Sequence, residues 1–239
     1  MKAWGLTDTG KVRQQNQDAY YFHVNGEEAL ILVCDGMGGA KAGNIASRMA
    51  AETFVSVVEQ TDGQPAERLN SGLEAANRAV FRTAIENSDC FGMGTTLVAA
   101  LVCGRLAHVV NVGDSRAYHI KETGIRQVTR DHSVVEDMVA RGDITPEQAR
   151  QHPRKNLITR ALGAEPQVRG DLFELDMEQG DAILLCSDGL SNQLSDQEML
   201  YEVLHGGPHE SCCRRLVDIV LSRGAPDNTT AVLLSMETE

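Results

Sequence analysis

The order of apolar segments along the chain constrains its fold more than any other feature of the sequence. Two long stretches of helical periodicity follow one another directly, and several segments of strand length then come in succession. These strand-length segments are rich in Val, Leu and Ile and bounded by Gly, Asp or Asn: 30–34, 96–103, 106–112, 182–186 and 230–234. Because strands and helices do not alternate strictly, the sequence predicts an α+β fold, with antiparallel sheets covered by helices.

Further signals complete this pattern. A hairpin is predicted from 116–120 and 125–128. Apolar residues at spacings of three and four predict helices with one buried face, over 45–57, 69–84 and 210–223. No repeat, low-complexity tract or long linker interrupts the 239 residues, so we expect one domain, 1–239.

Composition disfavours several functional classes. The chain has 22 Lys and Arg against 34 Asp and Glu, a net charge of −12, whereas binders of nucleic acid or anionic membranes need a basic face. We therefore expect neither partner. The longest apolar stretch, 97–103, is far shorter than the roughly 20 residues of a membrane helix, and the N-terminus has no apolar signal-peptide core. Six cysteines without a C-x-x-C motif are typical of a reducing compartment, so a cytoplasmic location is predicted.

Aspartates at the ends of apolar strands carry the chemical information. Asp35, Asp114 and Asp188 each follow an apolar run, and Asp227 precedes the last one. Carboxylates that converge repel one another, so a cation must lie among them or some must be protonated. A set of oxygen ligands without a Cys/His cluster favours Mg²⁺, Mn²⁺ or Ca²⁺ over zinc. Sequence alone leaves the alternative open that each Asp-Gly pair is merely a turn.

Arg13 is the candidate for a phosphate contact. It lies in the polar segment R-Q-Q-N-Q-D, and its guanidinium is a natural fork for phosphate oxygens. The alternative is a solvated surface residue. Both interpretations depend on where the segment lies relative to the aspartates.

Eight motifs occur in an order that resembles one known family. They are R-x-x-N-Q-D-A (13–19), D-G-M-G-G (35–39), G-M-G-T-T (92–96), N-V-G-D-S-R (111–116), R-D-H-S (130–133), N-L-I-T-R-A-L-G (156–163), C-S-D-G-L (186–190) and D-N-T-T (227–230). With these motifs the chain resembles the bacterial branch of the PPM (PP2C-like) metal-dependent Ser/Thr protein phosphatases, over nearly its whole length. The resemblance implies a four-layer αββα sandwich, in which helices flank two central antiparallel sheets.

The resemblance also implies a metal centre with two or three Mn²⁺ or Mg²⁺ ions. In it, Asp35 bridges two ions, the Gly36 carbonyl ligates one of them, and Asp188 and Asp227 ligate the other. Asp18 acts mainly through water, and Asp131 joins Asp188 at a third, weaker site. Arg13 holds the phosphate, with Asn228 and His132 beside the ligands. Asp114 and Arg116 are interpreted as an ion pair that fixes a turn.

The implied function is hydrolysis of phosphoserine and phosphothreonine in proteins, by direct attack of a hydroxide that bridges the metals. The implied partners are phosphorylated proteins, including a Ser/Thr protein kinase and its substrates, and a monomer is expected. Two alternatives stay open: a hydrolase for small phosphates, and an inactive phosphoprotein-binding module on the same fold. The segment 133–161 matches the family's flap and is expected to select phosphoprotein substrates.

Departures from the family pattern concern the group that protonates the leaving alcohol. Met37 and Ala40 stand where many relatives carry His, and Asn44 stands in place of the usual Glu. Gln17 replaces a Glu that is frequent in relatives. His132 is the nearest substitute for the missing acid; the alternative is a hydrogen-bonding role beside a ligand.

Overall fold

The apolar runs form two antiparallel sheets in the computed structural model, which describes residues 1–236 and, for 39–41, the backbone alone. The first sheet has the order β1 (Lys2–Asp8), β11 (Thr229–Ser235), β10 (Ala182–Cys186), β7 (Arg116–Lys121) and β8 (Gly124–Gln127). The second has the order β2 (Asp18–Asn25), β3 (Glu28–Met37), β5 (Leu97–Cys103), β6 (Leu106–Val112) and β9 (Asp171–Asp176), and β4 (Gly94–Thr95) pairs with the end of β3.

Helices cover both outer faces. Helices α1 (Gly39–Gln60) and α2 (Pro65–Glu86) pack on the second sheet, while α6 (Asp196–Leu204) and α7 (Cys212–Ser222) pack on the first. Helices α3 (Val134–Ala140) and α4 (Pro146–Arg150) belong to the predicted flap, and α5 (Asp188–Ser191) follows β10. Within residues 1–236, no helix has the length and apolar content to cross a bilayer. The predicted four-layer αββα sandwich is confirmed.

Strand β3 shows why the core segments are continuously apolar. Leu30 and Leu32 face the α1–α2 layer, whereas Ile31 and Val33 face the other sheet. Successive side chains of a strand point to opposite faces, so a strand between two apolar layers needs apolar residues at every position. Leu184 of β10 has the same setting, fully buried on the α6–α7 side.

The topology brings the chemistry-bearing residues to one edge of the sandwich. Asp18, at the start of β2, pairs directly with Asp35 near the end of β3. Strand β10 ends beside the starts of β7 and β11, and β6 ends beside the start of β5. In antiparallel pairs the end of one strand lies next to the start of its neighbour, which gathers segments distant in sequence.

The Asp35-Gly36 pair corrects the turn interpretation. Both residues lie within β3, and Gly36 pairs with Thr95 of β4. The glycine is required by close backbone approach, because a Cβ there would collide with the Gly43 carbonyl oxygen and lie 2.7 Å from the Gln17 carbonyl oxygen. The chain turns only at Gly38, where φ is 127°.

Candidate metal and phosphate site

A cleft of about 700 Å³ opens at this edge of the sandwich. Its walls come from the loop after β1, the end of β3, the flap, and the segments at the end of β10 and the start of β11. Six of the predicted site residues line it: Arg13, Asp35, Gly36, Asp188, Asp227 and Asn228. Asp114 lines the same cleft.

Asp18 lies buried beside this cleft. One carboxylate oxygen, Oδ2, accepts hydrogen bonds from the hydroxyls of Ser187 (2.8 Å) and Thr230 (2.6 Å). The other, Oδ1, is buried and has no hydrogen-bond partner among the described residues. Burial raises the pKa of Asp18 to about 7, opposed by the two hydroxyls and reinforced by the negative charges of Asp188 and Asp227. A buried carboxylate oxygen without a donor fits a water or cation at this point.

The other carboxyl groups repel one another. Burial first, and then the charges of Asp18 and Asp188, raise the pKa of Asp35 well above its usual range. Burial and the charge of Asp227 raise the pKa of Asp188, although a hydrogen bond with Asp35 opposes the shift. Burial, followed by Asp188 and Asp131, raises the pKa of Asp114 to about 8. Divalent cations would relieve this repulsion.

The carboxylates are not arranged as a preformed cage. Asp227 binds Arg13 at 2.7 Å, and Asp188 accepts a hydrogen bond from Asn192 at 3.1 Å. As they stand, no three His, Cys, Asp or Glu side chains within residues 1–236 form a group that could hold an ion. Mg²⁺-like ions keep several waters and use few carboxylates directly. The oxygen donors therefore fit hydrated hard cations by chemistry and charge.

Asn228 holds the loop that carries Arg13. The Arg13 side chain is half exposed and reaches Asp227 from the loop that precedes β2. Asn228 holds that loop, because its Nδ2 donates to the carbonyl oxygens of Thr9 (2.9 Å) and Gln15 (3.0 Å). Its Oδ1 accepts from the Gln17 backbone at 2.8 Å. Asn228 thus places Arg13 over the cleft.

The predicted pairing of Asp114 with Arg116 is wrong. Arg116 donates to both oxygens of Asp131, with the shortest contact 2.7 Å, and Gln127 donates to Asp131 at 3.0 Å. Asp131 lies in a second cleft of about 470 Å³, which Asp114 and Asp188 also line. Asp114 is therefore a member of the acidic cluster and not half of an ion pair that fixes a turn. Its position at a strand end, like that of Asp35, is the sequence signal that indicates this.

His132 lies outside both clefts. It is 5% exposed, and its Nδ1 accepts a hydrogen bond from the Gly113 backbone at 3.1 Å. Its Nε2 lies 3.2 Å from Asp171. These contacts match the hydrogen-bonding alternative and do not present a proton to the first cleft. Met37 lines that cleft, and the side chain of Ala40 lies outside the described residues.

Comparison with known proteins leads to the same family that the sequence motifs resemble. Residues 10–229 match the family model described as Protein phosphatase 2C. The serine/threonine phosphatase stp of Listeria monocytogenes is 35% identical over 247 residues, covering 99% of this chain and 96% of that protein. The protein phosphatase PhpP of Streptococcus pneumoniae is 36% identical over 239 residues, covering 98% and 97%.

Solved structures agree in fold. The serine/threonine phosphatase Stp1 from Staphylococcus aureus superposes with a TM-score of 0.93 at 37% identity, covering 99% of this chain and 95% of that one. The catalytic domain of the serine/threonine protein phosphatase PstP, in complex with two manganese ions, superposes with a TM-score of 0.86 at 34% identity, covering 97% and 96%.

Proposed function

We propose that this chain, which belongs to the protein phosphatase 2C family, hydrolyses phosphoserine and phosphothreonine in proteins with the help of divalent metal ions. One observation carries the proposal. A single cleft contains both a half-exposed arginine suited to phosphate and a cluster of buried carboxyl groups whose mutual repulsion calls for cations. Phosphoryl transfer needs both features, because catalysis lies mainly in positioning and in neutralising charge.

The acidic cluster would hold two Mn²⁺ or Mg²⁺ ions. Asp35, Asp188, Asp227 and the carbonyl oxygen of Gly36 are the proposed ligands, and the unpartnered Oδ1 of Asp18 would support them through water. When bound, the ions would lower the pKa of water in the cleft and neutralise charge on the phosphoryl group. A third ion at Asp131 would bind more weakly, because it would compete with Arg116 for that carboxylate.

Arg13 would bind the phosphoryl oxygens. Its guanidinium now donates to Asp227, and a substrate phosphate would compete for the same donors. The exposure of the side chain lets it reach a phosphate on a protein surface. Asn228 keeps the arginine over the cleft, since it fixes the backbone of the loop at Thr9 and Gln15.

The flap would contact the polypeptide around the phosphoresidue. Asn156 and Ile158 line the same cleft as Arg13, so a substrate chain bound there would meet them. This supports phosphoproteins as substrates, including those made by a Ser/Thr protein kinase. The kinase, the monomeric state and the cytoplasmic location stay predictions.

Phosphate release from a phosphothreonine peptide tests the proposal, with a phosphotyrosine peptide as a control. We expect turnover with Mn²⁺ or Mg²⁺, none in EDTA, and its loss in Asp35→Asn. Arg82→Ala removes a cation from the surface of α2, where it pairs with Glu86, and should leave turnover unchanged. A folded protein with no turnover in either metal would favour the binding module, and turnover of small phosphates alone would favour the small-molecule hydrolase.

A further inference from the structure

His132 holds both backbone groups of one glycine. The Gly113 N–H donates to the ring Nδ1 at 3.1 Å, and the Gly113 carbonyl accepts from the His132 N–H at 2.9 Å. Nε2 lies 3.2 Å from Asp171 Oδ2 and equally 3.2 Å from Arg160 Nη1. Because Nδ1 accepts, the ring hydrogen is assigned to Nε2, and Asp171 is its acceptor since arginine offers only donors. Every hydrogen-bonding position of this buried ring is thus used.

Gly113 begins the turn that carries Asp114 to the first cleft, which Arg13 and Asp35 also line. Its φ of 107° and the 2.6 Å that would separate a Cβ from Thr96 leave no room for another residue. On the far side of Asp114, the Ser115 hydroxyl lies 2.7 Å from that of Thr96, which also accepts from the Asp35 backbone N–H at 2.9 Å. The Asp114 turn is therefore clamped between His132 and the strand that carries Asp35.

The other contacts of His132 lead to the flap. Its carbonyl oxygen accepts from the Thr159 N–H at 2.8 Å. Asp171, the partner of Nε2, accepts from Arg160 at 2.9 Å. Thr159 and Arg160 directly follow Ile158, which lines the same first cleft as Arg13. The end of the flap and the Asp114 turn therefore meet at one buried side chain.

We propose that His132 is a positioning residue with two separable arms. Through Nδ1 it fixes the Gly113–Asp114 turn and hence the acidic cluster; through Nε2 and Asp171 it fixes the flap residues that face the substrate. The proposal rests on the proposed function. It assigns no proton transfer to His132.

Two substitutions of similar size separate the arms. In His132→Asn the amide oxygen replaces Nδ1 as acceptor for Gly113, while in His132→Gln the amide nitrogen replaces Nε2 as donor to Asp171. With a small aryl phosphate and Mn²⁺, we expect kcat of the Asn variant to stay within about threefold of wild type and that of the Gln variant to fall about tenfold, the effect of one buried hydrogen bond. Mn²⁺ affinity measured by calorimetry should fall in the Gln variant only.

A third variant addresses the flap arm. Asp171→Ala should raise KM for a phosphothreonine peptide about fivefold and leave kcat on the aryl phosphate unchanged, again the effect of lost hydrogen bonds. Equal losses in the Asn and Gln variants, or a matching loss of kcat in Asp171→Ala, would overturn the two-arm assignment.

Amide exchange separates failure of this inference from failure of the proposed function. In metal-free protein, the Gly113 amide should exchange faster in His132→Gln than in wild type or His132→Asn. An inactive wild type with this exchange pattern would refute the phosphatase alone, whereas unchanged exchange in the Gln variant would refute the positioning role.

Discussion

Replacing Asp114 by Asn should stabilise the metal-free protein. Asp114 is a largely buried carboxyl group next to Asp188 and Asp131, and the charge of Arg116 offsets only a small part of their repulsion. Asn has almost the same shape and removes the negative charge. The substitution therefore relieves repulsion without opening a cavity in the fold.

The raised pKa of Asp114 sets an upper bound on the stability gained by Asp114→Asn. Burial and the neighbouring carboxylates raise the pKa of Asp114 from 3.8 to about 8. This difference of about 4 in pKa corresponds to about 5 kcal/mol at 1.36 kcal/mol per pKa unit, as an upper bound. Water in the open cleft screens part of this repulsion, so we expect a gain of roughly 2 kcal/mol and a Tm increase of about 5 °C.

The gain should depend on pH. A carboxyl group whose pKa is raised on folding does not destabilise the protein below its unfolded pKa, 3.8, and destabilises it fully above its folded pKa, about 8. The difference between Asp114→Asn and wild type should therefore be small near pH 4 and grow steadily towards pH 8. Urea unfolding in EDTA across this range measures it.

Asp131→Asn is the matched control. Its carboxylate accepts three hydrogen bonds from the partly buried Arg116, so neutralising it should destabilise the protein by about 2 kcal/mol. The two aspartates line one cleft, yet the two substitutions should change the free energy of unfolding in opposite directions, because Asp131 is paired with Arg116 and Asp114 faces other carboxyl groups. An Asp114→Asn variant no more stable than wild type near pH 8, or equally stabilised near pH 4, would refute the reasoning.

Other substitutions test separate parts of the structure. Arg13→Lys should lower kcat/KM for a phosphothreonine peptide about tenfold because a point charge replaces a two-pronged donor, and a change below twofold in steady-state assays would contradict this. Gly36→Ala should cost about 3 kcal/mol or prevent folding, whereas Gly104→Ala, with open space and a φ of 59°, should cost about 1 kcal/mol; urea unfolding compares them. Leu184→Ala should cost about 2–5 kcal/mol by the same assay. Cys34, fully buried with its thiol pKa raised by burial, should stay unalkylated by iodoacetamide in mass spectra of the folded protein.

The sequence predicts the interior strands, whereas it predicts only one of the four edge strands, β8, as the second arm of a hairpin. Strands β3, β5 and β10 are buried on both faces and therefore read as continuous apolar runs. Strands β1, β2 and β9 are the other three edge strands, and the sequence carries no clear signal for them. Their residues are mostly half-exposed, so neither continuous apolarity nor strict alternation marks them.

Candidate site residues were predictable where the signal was local. Strand ends and motifs predict Asp35, Asp188 and Asp227 as site residues, and all three line one cleft. The partner of Arg116 was not predictable in this way. Asp114 lies two residues from Arg116 along the chain, and Asp131 lies fifteen residues from it. The course of the chain through β8 brings Asp131 to the Arg116 guanidinium. Sequence spacing carries no information about such a choice.

The acidic cluster links folding to the proposed chemistry. Antiparallel pairing places the ends of β3, β6 and β10 at one edge, so the fold itself concentrates carboxyl groups there. Their raised pKa values show that the metal-free protein bears a cost in stability at neutral pH. A divalent cation that removed this repulsion would bind the folded state and have no comparable site in the unfolded chain, so its binding energy would add to stability. The burial that makes the cluster unfavourable by itself is therefore what would give it affinity for the ions that hydrolysis needs.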